Sequence, residues 1–404
     1  MGGLRPDRAA AVPAAYRPET RPRGCEGVTL PKRLFALAGP AALLTLAACS
    51  GGGDSASGGG GPITVSASDT ACEVSATTAN AGNLTFEVTN KGTKVTEFYL
   101  YAEGDRIMGE VENIAPGLTR KLTVEIATAG TYQTACKPGM TGDGIRGTFT
   151  VAGSAAKQAD SNAELAAATK SYASYVEDQT DVLRTETQKF ADAVKSGNVE
   201  DAKARYAATR VYYERIEPVA EKFGDLDPAI DAREADLEQG QQFTGFHRLE
   251  KDLWVTGLQP DSAQVADRLV SDVNALIGKS KTLELSALDL GNGAKELLDE
   301  VATGKITGEE EAFSHTDLWD FQANVDGSKA AVQALRPVLQ ARDAALVSTI
   351  DGQFANVQKL LDATRAGDGF KYYTELSQDQ IKEFASAVDA LSEPLSKVAE
   401  VVAQ

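Results

Sequence analysis

The stretch TGFHRLEKDLW, from Thr244 to Trp254, decides how the C-terminal part of the chain is interpreted. It contains His247, one of two histidines among 404 residues, and Glu250 three positions later. Residues three positions apart lie on one face of a helix, so both side chains can reach a common ion. Imidazole and carboxylate together suit iron, zinc or manganese. The stretch therefore predicts a helix that carries half of a metal site or, more simply, a surface ion pair.

The sequence around this stretch is helical in pattern from about residue 162 onward. Ala, Leu, Glu and Lys dominate there, and apolar residues recur with a helical period. Residues 188–197 (QKFADAVKSG) and 358–367 (QKLLDATRAG) form a weak internal repeat. In each copy the final glycine is expected to end one helix, and Asn198 or Asp368 to cap the next. The repeat predicts two related helical bundles that pack together.

The preceding region, residues 63–152, has the alternation of β-strands. NLTFEVTN at residues 83–90 alternates apolar and polar side chains, and TEFYLYA, KLTVEIA and IRGTFTVAG have similar patterns. Gly, Asn and Pro separate these segments, as expected for turns. Several short strands in one small region predict a β-sandwich. We therefore expect a multidomain β plus all-α protein, with a β-sandwich at 63–152 and a helical domain at 160–404.

The segment before the β-region has the organisation of an export signal. Lys32 and Arg33 precede an apolar run of about 15 residues, which is typical of a signal-peptide core and short for a membrane span. The run ends in LAAC, which resembles the bacterial lipobox. That resemblance implies a signal peptide at 28–48, lipidation of Cys49 and an extracytoplasmic chain anchored to the cell membrane, with plain secretion as the alternative.

Two flanking segments complete the predicted N-terminal organisation. Residues 49–62 are rich in Gly and Ser, as expected for a flexible tether. Residues 1–27 are rich in Arg, Pro and Ala and lack an apolar period, so we interpret them as a gene-model extension. On this interpretation the translated protein begins at Val28.

The charge of the chain excludes one class of partner. The formal net charge is −18, and residues 1–48 carry seven basic and three acidic side chains, so their removal takes the charge to −22. Nucleic-acid binding requires clustered Lys and Arg, so nucleic acid is not an expected partner. An acidic chain is compatible with the collection of cations.

Two further motifs in the helical part carry acidic side chains. RVYYERIEPVAE places four charged residues on one helical stripe, which usually means a solvated face, although apolar neighbours leave little room for that here. FSHTDLWDFQANVDG, at residues 313–327, sets His315 among three aspartates and a tryptophan. The stripe consists of Arg210, Glu214, Glu217 and Glu221, and the aspartates are Asp317, Asp320 and Asp326.

These three motifs together resemble a known family. GFHRLE is similar to the G-x-H-x-x-E signature of imelysin-like domains, and the other two resemble the version in EfeO-type components of bacterial iron-uptake systems. The resemblance spans about residues 162–402 and implies a double four-helix bundle with a metal site in its cleft. It implies His247 and Glu250 as ligands. The acidic partners we expect are Glu214 and Glu217, with Glu311 and Asp317 as additional candidates.

The loop YQTACKPGMTG in the β-region resembles the ligand loop of cupredoxins, and a cupredoxin-like N-terminal domain agrees with the EfeO-type resemblance. Blue copper needs two imidazoles, and this region has no histidine, so a blue-copper site is excluded. Glu97 occupies roughly the place of the first cupredoxin histidine. Either Cys72, Glu97, Cys136 and Met140 hold iron or copper, or the two cysteines form a disulfide with Met140 in the core.

The function expected from this resemblance is iron capture. A lipid-anchored extracytoplasmic component would bind iron, as Fe³⁺, and pass it to a membrane permease. The resemblance also implies a haem-peroxidase-like partner. One alternative is an imelysin-like metallopeptidase, but the H-E-x-x-H motif with two histidines one turn apart is absent. The other alternative is binding of an acidic polysaccharide through a bridging metal, which the charge of the chain disfavours.

Overall fold

The computed structural model describes residues 61–157, 159, 162–237, 240–303 and 305–404. The gene-model extension at 1–27, the signal peptide at 28–48, the lipidation site Cys49 and residues 49–60 of the tether lie outside the described residues. Within the part of the chain that is described, no helix is both long and apolar enough to cross a membrane.

Residues 63–154 form a β-sandwich, as the alternating pattern predicted. One sheet has the order β2-β1-β4-β7 and the other has the order β3-β9-β8-β5-β6. The inward-facing side chains of both sheets, including Phe86, Phe98 and Phe149, form one apolar core. The strands are β1 (Ile63–Ala67), β2 (Cys72–Val74), β3 (Thr78–Asn80), β4 (Gly82–Asn90), β5 (Thr96–Tyr101), β6 (Ile107–Ile114), β7 (Thr119–Ile126), β8 (Thr128–Pro138) and β9 (Ile145–Ser154).

The rest of the described chain is mainly helical. The first long helix begins where the Asn162 side chain accepts hydrogen bonds from the backbone N–H groups of Glu164 and Leu165, a standard N-cap. The helices are α1 (Ala163–Lys195), α2 (Val199–Glu214), α3 (Leu226–Asp231), α4 (Gly245–Lys251), α5 (Ser262–Ser280), α6 (Ala287–Thr303), α7 (Asp317–Arg342), α8 (Ala344–Ala363), α9 (Gln378–Leu395) and α10 (Val398–Ala403).

These helices pack in two sets. In the first set α1 contacts α2 and α5, and in the second set α6 contacts α7 and α9, while α8 contacts α7 and α9. Helix α7 also contacts α1 and α2, so it joins the two sets. One continuous apolar cluster runs through both. The arrangement agrees with an all-α region.

The internal repeat predicted one helix boundary correctly and one wrongly. In the first copy, α1 ends at Lys195 and the Asn198 side chain caps α2 by accepting a hydrogen bond from the N–H of Asp201. In the second copy, Asp368 does not cap a helix. It lies in the turn of a short hairpin, β10 (Arg365–Ala366) and β11 (Gly369–Phe370), and the next helix begins only after Ser377. Trp319 packs on Phe370 at a centroid distance of 5.5 Å, and this contact holds the hairpin in place.

The β-sandwich packs against the helical region through α6. This helix contacts β6 and β7, and the side-chain amide of Asn292 donates a hydrogen bond of 2.9 Å to the carbonyl oxygen of Thr123. The C-terminal helix α10 also contacts β7, where Lys121 lies 3.6 Å from Glu400. Side chains of β5 and β6 therefore face helical residues 217–222 across a shared cleft.

Candidate metal centre

Helix α4 carries the H-x-x-E pair, and its first residue, Gly245, packs closely against the backbone of Ile230. Gly245 has a φ of +76°, and a Cβ at this position would lie 2.1 Å from the carbonyl oxygen of Ile230. Only glycine accommodates both the conformation and the contact. Since Ile230 immediately precedes Asp231, the end of α3, this approach brings His247 next to the Asp231 carboxylate. Phe246, which is fully buried, packs on Phe190 at 6.1 Å and anchors the helix from the other side.

We expect Gly245→Ala to lower the free energy of unfolding by about 3 kcal/mol, because the new methyl group adds a steric clash to the cost of a positive φ. The same variant is expected to lose metal affinity, since α4 must move away from Asp231. Gly197→Ala is the matched control: its φ is +73° at the end of α1, but a Cβ there meets no atom within 4 Å. The control is expected to cost about 1 kcal/mol and to keep its affinity. If the two variants lost equal stability in urea unfolding and equal affinity in metal titration, this account would be contradicted.

The pair does not form a surface ion pair, because both side chains are buried. His247 Nδ1 lies 3.2 Å from Oε2 of Glu250. The other oxygen, Oε1, accepts hydrogen bonds from the backbone N–H groups of Phe313 at 2.9 Å and Ser314 at 2.7 Å. Glu250 is therefore held on both sides and fixes the orientation of the imidazole ring. A carboxylate on one ring nitrogen is the usual companion of a metal-binding histidine.

The other ring nitrogen, Nε2, is buried and has no hydrogen-bond partner among the described residues. It faces two carboxylates, with Oδ1 of Asp231 at 3.8 Å and Oε1 of Glu310 at 3.7 Å. The ligand atoms of His247, Asp231 and Glu310 all lie within 4.8 Å of one another. One nitrogen and two carboxylate oxygens around a common point form a donor set suited to iron, manganese or zinc. A second group, His247 with Glu250 and Glu311, meets the same distance criterion. We favour the first because Glu250 is already committed to backbone amides.

Two buried cations neutralise part of the acidic centre. Arg210 is fully buried; its guanidinium lies 2.5 Å from Glu214 and 2.6 Å from Glu311, and it also contacts Asp231. Lys305, also buried, lies 2.8 Å from Glu214. Arg210 also lies 3.3 Å from Glu310 and 3.5 Å from Asp320, and Lys305 lies 2.7 Å from Glu217.

The electrostatics of the centre show a shortage of positive charge. Burial and the neighbouring Glu250 raise the pKa of Glu311 well above its usual range, and burial is also the main cause of the raised pKa of Asp320 and Glu217. Burial likewise raises the pKa of Asp231 to about 6, although Arg210 opposes the shift. The raised pKa values favour protons on carboxylates that a multivalent cation could neutralise instead, whereas Lys305 and His247 hold the pKa of Glu310 well below its usual range.

The pKa of His247 is set by opposing influences. Burial and the charge of Arg210 lower it, but the carboxylates of Glu250, Glu310 and Asp231 outweigh them and raise the pKa to about 9. The imidazole is consequently protonated near neutral pH in the metal-free chain. An arriving cation must displace this proton from Nε2 before it can bind.

A cavity of about 270 Å³ connects the centre to the surface. His247, Glu250 and Glu310 form its inner end, and the exposed Glu234 and Glu309 lie among its outer residues. Arg233 also lines the cavity and lies 3.4 Å from Glu310. The cavity provides a path for a small hydrated ion, and acidic side chains at the mouth attract cations.

The structure gathers most of the predicted ligands into this centre but gives them different roles. Glu214 and Glu217 are held by Lys305. Glu311 contacts Arg210 and accepts a 2.8 Å hydrogen bond from Ser314 Oγ, while Asp317 Oδ1 accepts one of 3.2 Å from the N–H of Glu311. His315 lies apart from the candidate metal groups, with backbone hydrogen bonds to Glu311 and Tyr373. The residues that the motif analysis missed are Asp231, Glu310 and Lys305.

In the β-region, Cys72 and Cys136 form a disulfide, the second of the two alternatives left open by the sequence. Their sulfur atoms are therefore not available as thiolate ligands in this structure. Glu97 is buried and accepts a hydrogen bond from the hydroxyl of Tyr99 at 3.1 Å. Met140 lies not in the core but on the wall of the cleft between the β-sandwich and the helices.

Comparison with known proteins places both regions among described families. A profile described as imelysin (Peptidase M75) matches residues 168–398, and a profile described as a cupredoxin-like domain matches residues 38–151. The iron uptake system component EfeO of Escherichia coli O157:H7 is 41% identical over 83% of this chain and 90% of the relative. The proteins of the same name from E. coli K12 and Shigella flexneri are 40% identical over the same shares.

A solved structure shows a more distant likeness. Reduced auracyanin from Roseiflexus castenholzii aligns over 24% of this chain and 100% of its own, with 19% identity and a TM-score of 0.21.

Proposed function

The chain belongs to the EfeO family of iron uptake system components, and from that membership we propose that it captures iron outside the cytoplasm and passes it to a membrane permease. The capture site is the centre formed by His247, Asp231 and Glu310. The observation that carries this assignment is the buried, unpartnered Nε2 of His247, which faces two carboxylates at less than 4 Å. Iron, as Fe³⁺, is the cargo of this site.

The same proposal includes the cellular location and the partners of the protein. Lipidation of Cys49 would anchor the chain to the extracytoplasmic side of the cell membrane, and residues 49–62 would serve as the tether. The partners are the permease and a haem-peroxidase-like protein of the same uptake system. The role is binding and transfer, because one imidazole with several carboxylates makes a poor Lewis-acid site for peptide hydrolysis but a suitable iron site.

Transfer requires that the centre can also release its ion. Arg210 and Lys305 already neutralise several of the carboxylates when no cation is bound. They remain beside the ligands and compete with the ion for the same oxygens. The centre therefore offers many negative charges without the affinity that the same carboxylates would produce if no cation paired with them, which suits a carrier.

A titration tests the capture site. The full chain would be titrated with Fe³⁺ supplied as its nitrilotriacetate complex, and with Zn²⁺, Cu²⁺ and Mn²⁺ in parallel. We expect preferential iron binding that Glu310→Gln weakens at least tenfold, about 1.4 kcal/mol, because one of three ligands loses its charge. Glu309→Gln is the matched control, since this exposed neighbour removes the same charge from the same cavity without removing a ligand. Equal losses in the two variants, or none, would place the iron elsewhere.

A further inference from the structure

The cleft between the β-sandwich and the helical region is a second concentration of negative charge, and it adjoins the cavity of the His247 centre, since Arg233 and Glu309 line both. Its volume is about 520 Å³, and nine of its lining residues are acidic whereas three are basic. Three of the acidic residues, Glu110, Glu221 and Glu296, come from different elements. Glu110 lies on β6, Glu221 on the helical turn Glu217–Phe223, and Glu296 on α6.

Glu110 is the most informative of these side chains. It is 7% exposed, and its Oε2 atom is buried without a hydrogen-bond partner among the described residues. The carboxyl group that it meets is that of Glu221, within hydrogen-bonding range. Two carboxylates cannot satisfy one another, because both only accept hydrogen bonds. The pair therefore needs either a shared proton or a cation between its oxygens.

The basic side chains of the cleft do not fill this role. Lys222 lies 2.8 Å from Asp289 and Arg233 pairs with Asp236 and Glu310. Lys137 lies over the ring of Tyr99, 4.0 Å from its centroid. Lys222 and Lys137 lower the pKa of Glu221 through space, but none of the three basic side chains forms an ion pair with Glu110 or Glu221 among the described residues.

We propose that the Glu110–Glu221 pair, with Glu296 on the same cleft wall, forms a second cation site that links the β-sandwich to the helical region. An all-carboxylate donor set selects hard, multivalent cations that prefer oxygen. The hydroxyl oxygen of Tyr99 lies 3.1 Å from a carboxylate oxygen of Glu97 and 3.1 Å from one of Glu112, so Glu112 is an additional acidic group beside the same cleft. The site uses residues of both regions, and it stands whether or not the His247 centre takes iron.

Terbium luminescence provides a direct test, because Tb³⁺ is a hard trivalent probe and emits when a nearby aromatic ring transfers energy to it. Tyr99 lines the cleft, whereas Tyr206 and Trp254 belong to the helical core beside the His247 centre. The full chain is expected to bind Tb³⁺ in two phases. Tyr99→Phe should lower the emission amplitude of the cleft phase without changing its affinity, and Glu310→Gln should weaken only the other phase.

Glu221→Gln and Glu296→Gln should each weaken the cleft phase at least tenfold. Glu103→Gln, an exposed carboxylate of the same sandwich, should leave it unchanged. Circular dichroism and the surviving second phase report whether each variant is folded. If Glu221→Gln and Glu296→Gln leave both phases intact, or if the single phase observed disappears in Glu310→Gln, the carboxyl pair only shares a proton and the second site does not exist. A titration of the unmodified chain that shows only the cleft phase, unaffected by Glu310→Gln, would instead contradict the capture site.

Discussion

Arg210→Met is expected to lower the free energy of unfolding of the metal-free chain by about 3–5 kcal/mol, the cost typical of removing one partner from a buried ion cluster. The guanidinium is fully buried and lies within 4 Å of five carboxylates, which would be left without their main countercharge. Methionine keeps most of the volume, so the loss reports charge rather than a cavity. Urea unfolding of the unmodified chain and of Arg210→Met at neutral pH measures this loss of stability.

The control for this prediction lies on the same helix. Arg205 pairs with Asp201 at 2.9 Å on the exposed side of α2, and Arg205→Met is expected to cost less than about 1 kcal/mol. Saturating metal is expected to restore part of the stability of Arg210→Met, because a bound cation replaces the missing charge and stabilises the folded state by mass action. An Arg210 variant as stable as the Arg205 variant would show that the carboxylates of the centre are neutralised by protons alone.

The second large effect is the pH dependence of metal binding. The pKa of His247, about 9, lies above its ordinary value of 6.5, so the protonated ring stabilises the metal-free chain fully below about pH 6.5. This contribution is lost as the pH rises through the folded-state pKa. Metal affinity changes in the opposite sense, since the ion displaces that proton. It should rise about tenfold per pH unit between about pH 6.5 and about pH 9.

Titration with Mn²⁺ from about pH 6.5 to about pH 8.5 measures the effect, which is expected to approach a hundredfold. Below about pH 6 the dependence should steepen, because the pKa of Asp231 is raised to about 6 and a second proton must then leave. His247→Gln should bind more weakly and lose the dependence above pH 6.5. A wild-type affinity that stays constant over this range would mean that Nε2 is not a ligand.

Local patterns in the sequence predicted the two-region fold but only part of the centre. Period-two alternation specified the sandwich, and the i, i+3 spacing of His247 and Glu250 specified one face of a helix. Spacing within one helix says nothing about the partners that other elements supply. Asp231 lies next to His247 because Gly245 allows α4 to start against the carbonyl of Ile230, and Glu310 comes from the segment between α6 and α7.

The run EEE at residues 309–311 shows why Glu310 was missed. Consecutive glutamates usually belong to a solvated segment, and Glu309 is indeed exposed. Glu310 is instead buried and forms ion pairs with Lys305 and with Arg210, which lies 100 positions earlier in the chain. Lys305 itself had no pattern to distinguish it from a surface lysine. Such long-range compensation of charge is a property of the folded chain and not of any short segment.

Lys305 also separates two compartments of negative charge. Its ammonium group pairs with Glu214 on the side of the His247 centre and with Glu217, which lines the interdomain cleft. An ion in either compartment would raise the electrostatic potential in the other, because charges inside a protein are weakly screened. Filling would then be anticooperative, and by thermodynamic reciprocity each ion would loosen the other by the same factor. We therefore expect an ion that enters one compartment to promote release of the ion bound in the other.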